Sequence, residues 1–310
     1  MKKLSLYLTT IFFAVLMFWA CEDTTTTPDD NNNTKPRPNA PSGLMATSKN
    51  DKSVILKWTP STSETNALFA GYVLKVTGGN TMAPISIAKG QTTYTVAGLE
   101  EGIEYTFTLQ AKFTNDELSD PISIKWSPAS RFEKNENDAE IRIYETASGF
   151  GSGLQLYGPE KLPKTLKVSD GANWTIGLST KTGIFLGSPR ELDYNYGSTP
   201  TAATEIADVI TGINSLDEIF DSQALSAKSF ASKKIDLSKY NGNIAFALRY
   251  KQAGKTDWNY AKVFVKYVGG SFLQGSSPNR YIAVIVSHQV KTGVPYAITR
   301  EIEKSNNNVK

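Results

Sequence analysis

The chain has 310 residues, with 33 Lys and Arg against 30 Asp and Glu and a formal net charge of +3, so composition alone supplies no field that would gather a polyanion. Its basic residues are scattered among acids, with Lys233 and Lys234 an ordinary solvated patch, and this pattern speaks against a nucleic-acid partner. One cysteine, Cys21, and one histidine, His288, exclude a disulfide framework and the multi-histidine or cysteine-rich zinc sites.

At the N-terminus, Lys2 and Lys3 precede an apolar run from Ile11 to Ala20 that stops at Cys21. A basic start, a short apolar stretch and a small residue before the cut are the marks of a secretory signal, and the run is too short to span a bilayer comfortably. The pattern resembles a bacterial lipoprotein signal (residues 1–20), with Phe18 and Trp19 as departures from the usual residues. The resemblance implies that Cys21 is acylated, anchoring the chain to a membrane through an N-terminal lipid, at the outer membrane or cell surface of a bacterial envelope. Cleavage would remove Lys2 and Lys3, leaving a nearly neutral chain.

Residues 21–39 follow with Thr24 to Thr27, Asp29 to Asn33 and several prolines, a composition that cannot build a core. A coil of this length spans on the order of 25 Å, enough to hold a folded domain clear of headgroups. Glu22 and Asp23 resemble the acidic export signal of surface lipoproteins in the Bacteroidetes group. Roughly 270 residues remain beyond Asn39, more than one small core usually covers, so two domains are expected.

From Ala40, short runs of alternating or β-branched residues alternate with turns: Val54 to Trp58, Gly71 to Val76, Thr93 to Val96, Tyr105 to Ala111 and Ile122 to Trp126. This spacing predicts an antiparallel sandwich. Pro41 and Leu44 at its start, Trp58 at the end of one strand, Tyr72 in the next, and the trio Leu99, Gly102 and Tyr105 resemble the fibronectin type III family over residues 40–127. The resemblance implies that Trp58 fills the space between sheets and that the Tyr105 hydroxyl bonds to backbone upstream. Such domains serve as spacers or interaction modules. The loop Asn115 to Ser119 lacks an Arg-Gly-Asp tripeptide, the integrin-type adhesion signal.

Residues 128–138 read as a linker, and a second β-rich unit is expected over 139–304, with a disordered tail at 305–310. Its predicted strands are Glu140 to Glu145, Leu154 to Leu156, Leu166 to Val168, Trp174 to Leu178, Ile244 to Tyr250, Tyr260 to Val268, Tyr281 to Ser287 and Tyr296 to Ile302. Between them Ile206, Val209, Ile210, Ile213, Leu216, Ile219 and Phe220 recur at helical spacing, and Ser215 with Glu218 has the form of a capping box, so a short amphipathic helix is expected there. The segment Ile235 to Ser238, Tyr240-Asn241-Gly242, Ile244 to Tyr250, Gly254, Trp258 and Ala261 to Lys266 resembles the paired strands of galactose-binding-like jelly rolls. The fold class is therefore all-β: two β-sandwich domains, the second jelly-roll-like with a helical insertion.

No Gly-x-Ser-x-Gly elbow is present, and Gly149, Gly151 and Gly153 have the wrong spacing for a dinucleotide loop and read as a flexible turn. His288, following Val284 to Ser287, reads as a half-exposed strand residue. Asn135, Asn137, Asp138 and Glu140 offer oxygens to a structural calcium, though their spacing fits no calcium loop; no other cofactor and no metal site is expected. The most suggestive feature is a repeated acid-aromatic-Asn-Tyr pattern, Asp193-Tyr194-Asn195-Tyr196 and Asp257-Trp258-Asn259-Tyr260. Aromatic faces stack on sugar rings while amide and carboxylate oxygens take hydroxyls, so these eight residues are candidates for ligand binding; strand alternation alone could instead bury Tyr194 and Tyr196. The expected function is a non-enzymatic, lipid-anchored binding or adhesion protein recognising a glycan or envelope protein. Two alternatives are a polysaccharide hydrolase, which needs two carboxylates converging in one cleft, and a structural component of an envelope assembly.

Overall fold

The computed structural model describes residues 35–158, 161–196, 199–200, 203–220, 230, 233–251 and 255–292. The signal segment, Cys21, most of the tether, Gly254, the predicted strand Tyr296 to Ile302 and the tail lie outside the described residues. The described residues from Pro36 onward form one compact unit.

The first sandwich has seven strands: β1 (Ser42–Asn50), β2 (Ser53–Thr59), β3 (Phe69–Thr77), β4 (Ile85–Ala88), β5 (Thr93–Val96), β6 (Tyr105–Phe113) and β7 (Ile122–Trp126). They form two antiparallel sheets, ordered β1-β2-β5 and β4-β3-β6-β7. Period-two patterning is clearest in β6, where Tyr105, Phe107, Leu109, Ala111 and Phe113 are buried and the residues between them are half-exposed. Trp58 packs edge-on against Tyr72 with ring centroids 5.6 Å apart. The Tyr105 hydroxyl accepts the Glu100 N–H at 3.0 Å. A Cβ at Gly79 would lie 2.7 Å from that hydroxyl, so the chain passes the corner only as glycine. Tyr72 accepts the Ser61 N–H at 3.0 Å and donates to Glu64 at 2.5 Å, and burial together with this carboxylate pushes its phenol up to about 12.

The second sandwich contains β8 (Ser130–Phe132), β9 (Ile141–Tyr144), β10 (Gly153–Gln155), β11 (Lys164–Leu166), β12 (Ile176–Ser179), β13 (Phe185–Gly187), β14 (Ala203–Ile206), β15 (Ile210–Thr211), β16 (Lys234–Asp236), β17 (Ile244–Lys251), β18 (Asn259–Val265) and β19 (Tyr281–Gln289). A five-stranded sheet, β11-β10-β12-β13-β16, faces a seven-stranded one, β14-β17-β18-β19-β8 with β15 beside β17 and β9 beside β19. Every pairing is antiparallel.

Every residue of β18 is buried, and its alternation divides between two cores. Ala261, Val263 and Val265 enter the core of the second sandwich, whereas Tyr260 and Phe264 join the cluster that contains the core of the first. The two sandwiches therefore share apolar packing. Lys262, on the outward side of β18 and only 1% exposed, donates to Thr47 Oγ1 at 3.3 Å and to the Ile219 carbonyl at 3.1 Å. Around it, Arg131 pairs with Asp217 at 2.6 Å and donates to the Ser48 carbonyl, and Gln289 donates to the Pro128 carbonyl. Glu101 accepts the Ser130 N–H and hydroxyl at 2.7 and 2.8 Å, and burial pushes its carboxyl up.

Three expectations change. Residues 128–138 do not simply link: Ser130–Phe132 enters the seven-stranded sheet beside β19, three residues after β7 ends. The apolar spacing of 206–220 is not a helix but β14, β15 and a 3-10 turn, Leu216–Glu218. Ile213, Leu216 and Ile219 are apolar because an irregular segment covers the junction between sandwiches; Ser215 still caps the turn by accepting the Asp217 N–H. Of the glycines at 149, 151 and 153, Gly149 has open space around it, but the other two are closely packed: a Cβ at Gly153 would lie 2.0 Å from the Trp174 ring and one at Gly151, with φ +121°, would lie 2.4 Å from the Leu166 carbonyl.

Candidate functional site

At one end of the seven-stranded sheet, β15 runs beside the start of β17, with Thr211 opposite Ile244. The loop that leaves β15 through Gly212, at φ +70° with open space around it, faces the Lys239–Asn243 connection into β17. Asp236 shapes that connection by accepting the Ser238 N–H and hydroxyl, bonds that lower its carboxyl below the usual range. Tyr267, just past β18, forms the third wall, fixed by its N–H on Asn243 Oδ1 at 2.9 Å, its hydroxyl on the Gly270 carbonyl at 2.7 Å and an edge contact with Phe272.

The open cleft between them has a volume of about 700 Å³. Two tyrosines, Tyr240 and Tyr267, three asparagines, Asn214, Asn241 and Asn243, and Lys239 line it, and none of its lining residues is Asp or Glu. Half-buried phenol rings supply flat apolar area, and primary amides supply both donors and acceptors, so the cleft suits a ligand rich in hydroxyl groups. Sequence reading noted Tyr240-Asn241-Gly242 only as part of a strand signature; Asn214 and Tyr267 join it through sheet pairing, which no local pattern reports.

The two repeated patterns are not brought together. Tyr194 and Tyr196 pack on Trp174, each with ring centroids 5.3 Å from it. Their hydroxyls donate to backbone, Tyr194 to the Leu178 carbonyl at 2.5 Å and Tyr196 to the Pro189 carbonyl at 2.8 Å, and burial pushes both phenols up. Asp193 and Asn195 remain exposed on the other side of the chain, as alternation requires. In the second pattern Asp257 is exposed, Trp258 is half-buried, and Asn259 and Tyr260 are buried at the start of β18. Trp258 is covered by cations, with the Arg249 guanidinium 4.3 Å and Lys251 Nζ 4.6 Å from its ring centroid. Tyr260 faces Phe230 at 5.9 Å.

His288 is fully buried and not half-exposed, because β19 lies between two layers. It stacks on Tyr157 at 5.1 Å, its Nε2 meets the Tyr250 hydroxyl at 2.8 Å, and desolvation pushes it down to about 3, so it is a neutral imidazole at any ordinary pH. Three of the four residues noted for calcium hold protein partners through their oxygens. Asn135 Oδ1 accepts the N–H groups of Asn137 and Ala139, Asp138 pairs with Lys134 at 2.8 Å, and Glu140 lies 2.9 Å from Lys266 and 3.2 Å from Arg142. Among the described residues no group of three His, Cys, Asp or Glu is placed to hold a metal ion.

Residues 39–125 match the fibronectin type III domain family model. They form a fibronectin type III domain. The expected tryptophan, the paired tyrosine and the tyrosine corner stand at Trp58, Tyr72 and Tyr105, within a hydrophobic cluster that also holds Leu99. Among solved structures, the fibronectin type III domain of the human collagen α-1(XX) chain is 20% identical, covering 32% of this chain and 92% of that one, with a TM-score of 0.27. The FN5 domain of Drosophila Lar is 23% identical over 29% of this chain and 97% of its own, with a TM-score of 0.23. No curated protein matches the chain.

Proposed function

We propose that this chain is a non-catalytic binding protein of a bacterial cell envelope, anchored by a lipid on Cys21, whose second sandwich takes a glycan in the Tyr240–Tyr267 cleft. The observation that carries this reading is the lining of that cleft: two phenol rings and three amides around about 700 Å³, with no carboxylate among the described lining residues. A hydrolase would require paired carboxylates there. The fibronectin type III domain suits a binding or adhesion role, and its packing on the outer face of the seven-stranded sheet leaves the cleft-forming loops 239–243 and 211–214 to the second sandwich.

A glycan-array screen with the soluble chain from residue 36 tests the reading. Asn241→Ala and Asn214→Ala alter exposed side chains, so the fold is expected to survive while binding falls at least tenfold. An array that stays silent, or binding indifferent to both substitutions, rejects the cleft as the glycan site.

A further inference from the structure

On the opposite edge of the seven-stranded sheet, β9 pairs with β19 so that Tyr144 stands opposite Tyr281 and Arg142 opposite Ala283. Alternation buries Ile141, Ile143, Ile282 and Val284 and turns Arg142, Tyr144 and Tyr281 to the outer face. The rings form a ladder: Phe150 to Tyr144 at 5.1 Å, Tyr144 to Tyr281 at 5.7 Å, and the Arg142 guanidinium 4.1 Å over Tyr281.

Phe150 caps the ladder and is 60% exposed, an expensive position for a phenyl ring unless something covers it. It is held there. Tyr144 donates its N–H to the Gly151 carbonyl at 3.0 Å, the Phe150 N–H reaches Ser148 Oγ at 3.2 Å, and Ser148 donates to Asn279 Oδ1 at 2.9 Å. With Gly151 and Gly153 locked against Leu166 and Trp174, the loop has little room to fold the ring inward.

Beside the ladder lies a pocket of about 290 Å³ lined by Glu136, Asn137, Glu140 and Thr165 as well as Arg142 and Phe150. Its size is at the small end of ligand pockets, which range from about 300 to 1,000 Å³. Glu140 is ionised and held between Lys266 and Arg142. Glu136 Oε2 is a buried acceptor without a hydrogen-bond partner among the described residues. A buried acceptor of this kind calls for a donor.

We propose that this pocket is a second carbohydrate site, binding one ring of a neutral polysaccharide with Phe150 and Tyr144 stacked on the sugar and Glu136 taking a hydroxyl. The exposed Phe150 ring, with Tyr144 tilted 41° beside it, supplies the apolar face to which a pyranose presents its C–H groups, and the pairing of Glu140 with Arg142 and Lys266 keeps the pocket close to neutral. The site is separate from the Tyr240–Tyr267 cleft and does not depend on it.

The test uses the soluble chain from residue 36 with insoluble cellulose, chitin, xylan and starch, followed by calorimetric titration with oligosaccharides of the polymer retained. Phe150→Ala removes an exposed side chain, so the melting temperature is expected to hold while affinity falls at least tenfold; Glu136→Gln, which exchanges a pure acceptor for a mixed group, weakens binding less. The titration is repeated in the Asn241→Ala background, where the cleft is already impaired, so that a further loss on Phe150→Ala reports this site alone. Retention abolished by Asn241→Ala but not by Phe150→Ala overturns the proposal, as does failure to retain any of the four polymers. Concentration-dependent self-association that disappears in Phe150→Ala also overturns it, since the ring would then be covered by a second copy of the chain.

Discussion

Lys262, on β18 of the second sandwich, holds its ammonium 5.4 Å from the ring of Trp126, on β7 of the fibronectin type III domain, with both side chains buried. The lysine crosses the boundary between the two sandwiches, and its remaining contacts with Thr47 Oγ1 and the Ile219 carbonyl tie three segments at one point. A buried ammonium loses much of its hydration, and the ring face, hydroxyl and carbonyl replace it.

This contact predicts how the junction responds to substitution. Lys262→Met keeps the stem but takes the donor from the buried Ile219 carbonyl and Thr47 hydroxyl, so it is expected to cost about 1–3 kcal/mol. Lys262→Ala leaves a cavity and is expected to cost about 2–4 kcal/mol. Because the sandwiches share packing, calorimetry should show one unfolding transition; two separated transitions would contradict the shared core.

His288 predicts the acid side of the stability profile. Its folded value of about 3 lies below the unfolded value of 6.5, so between these pH values the unfolded chain binds the extra proton and stability falls as pH drops. The contribution is at most about 1.4 kcal/mol per pH unit. His288→Gln should flatten the dependence of urea midpoint on pH between 6.5 and 4; an unchanged slope would show that the imidazole is not the titrating group.

Tyr105→Phe isolates the corner hydrogen bond. The ring stays, but the Glu100 N–H loses its acceptor, at an expected cost of about 1–3 kcal/mol. Urea denaturation reads this directly, and a loss below about 0.5 kcal/mol would mean that water replaces the hydroxyl.

Tyr194→Ala should behave as a packing substitution. Its ring contacts Trp174 and Tyr196, so a loss of about 3–5 kcal/mol with unchanged glycan affinity is expected. A stable variant with lost affinity would return the Asp193–Tyr196 segment to the binding surface.

Cys21→Ala tests the anchor. The variant is expected in the soluble fraction with an unaltered melting temperature, since the tether composition builds no core. Retention with membranes would make the apolar run Ile11 to Ala20 the anchor.

The sequence by itself determined the fibronectin type III domain, because its signals are local: alternation in β2, β3 and β6, and the Leu99, Gly102, Tyr105 spacing of a corner. It also located most long strands of the second sandwich, β17, β18 and β19 among them, through period-two patterning. Only the tertiary structure decided what the apolar residues at 206–220 were for. Their three- and four-residue spacing imitates a helix, but it is produced by an irregular segment that meets two cores in turn. For the same reason His288 read as half-exposed: alternation predicts which side a strand residue faces, not whether a second layer covers that side. The two proposed binding surfaces were beyond reach because Tyr240 and Tyr267, or Tyr144 and Tyr281, become neighbours only through antiparallel pairing of distant strands, a relationship that register sets and local spacing does not carry.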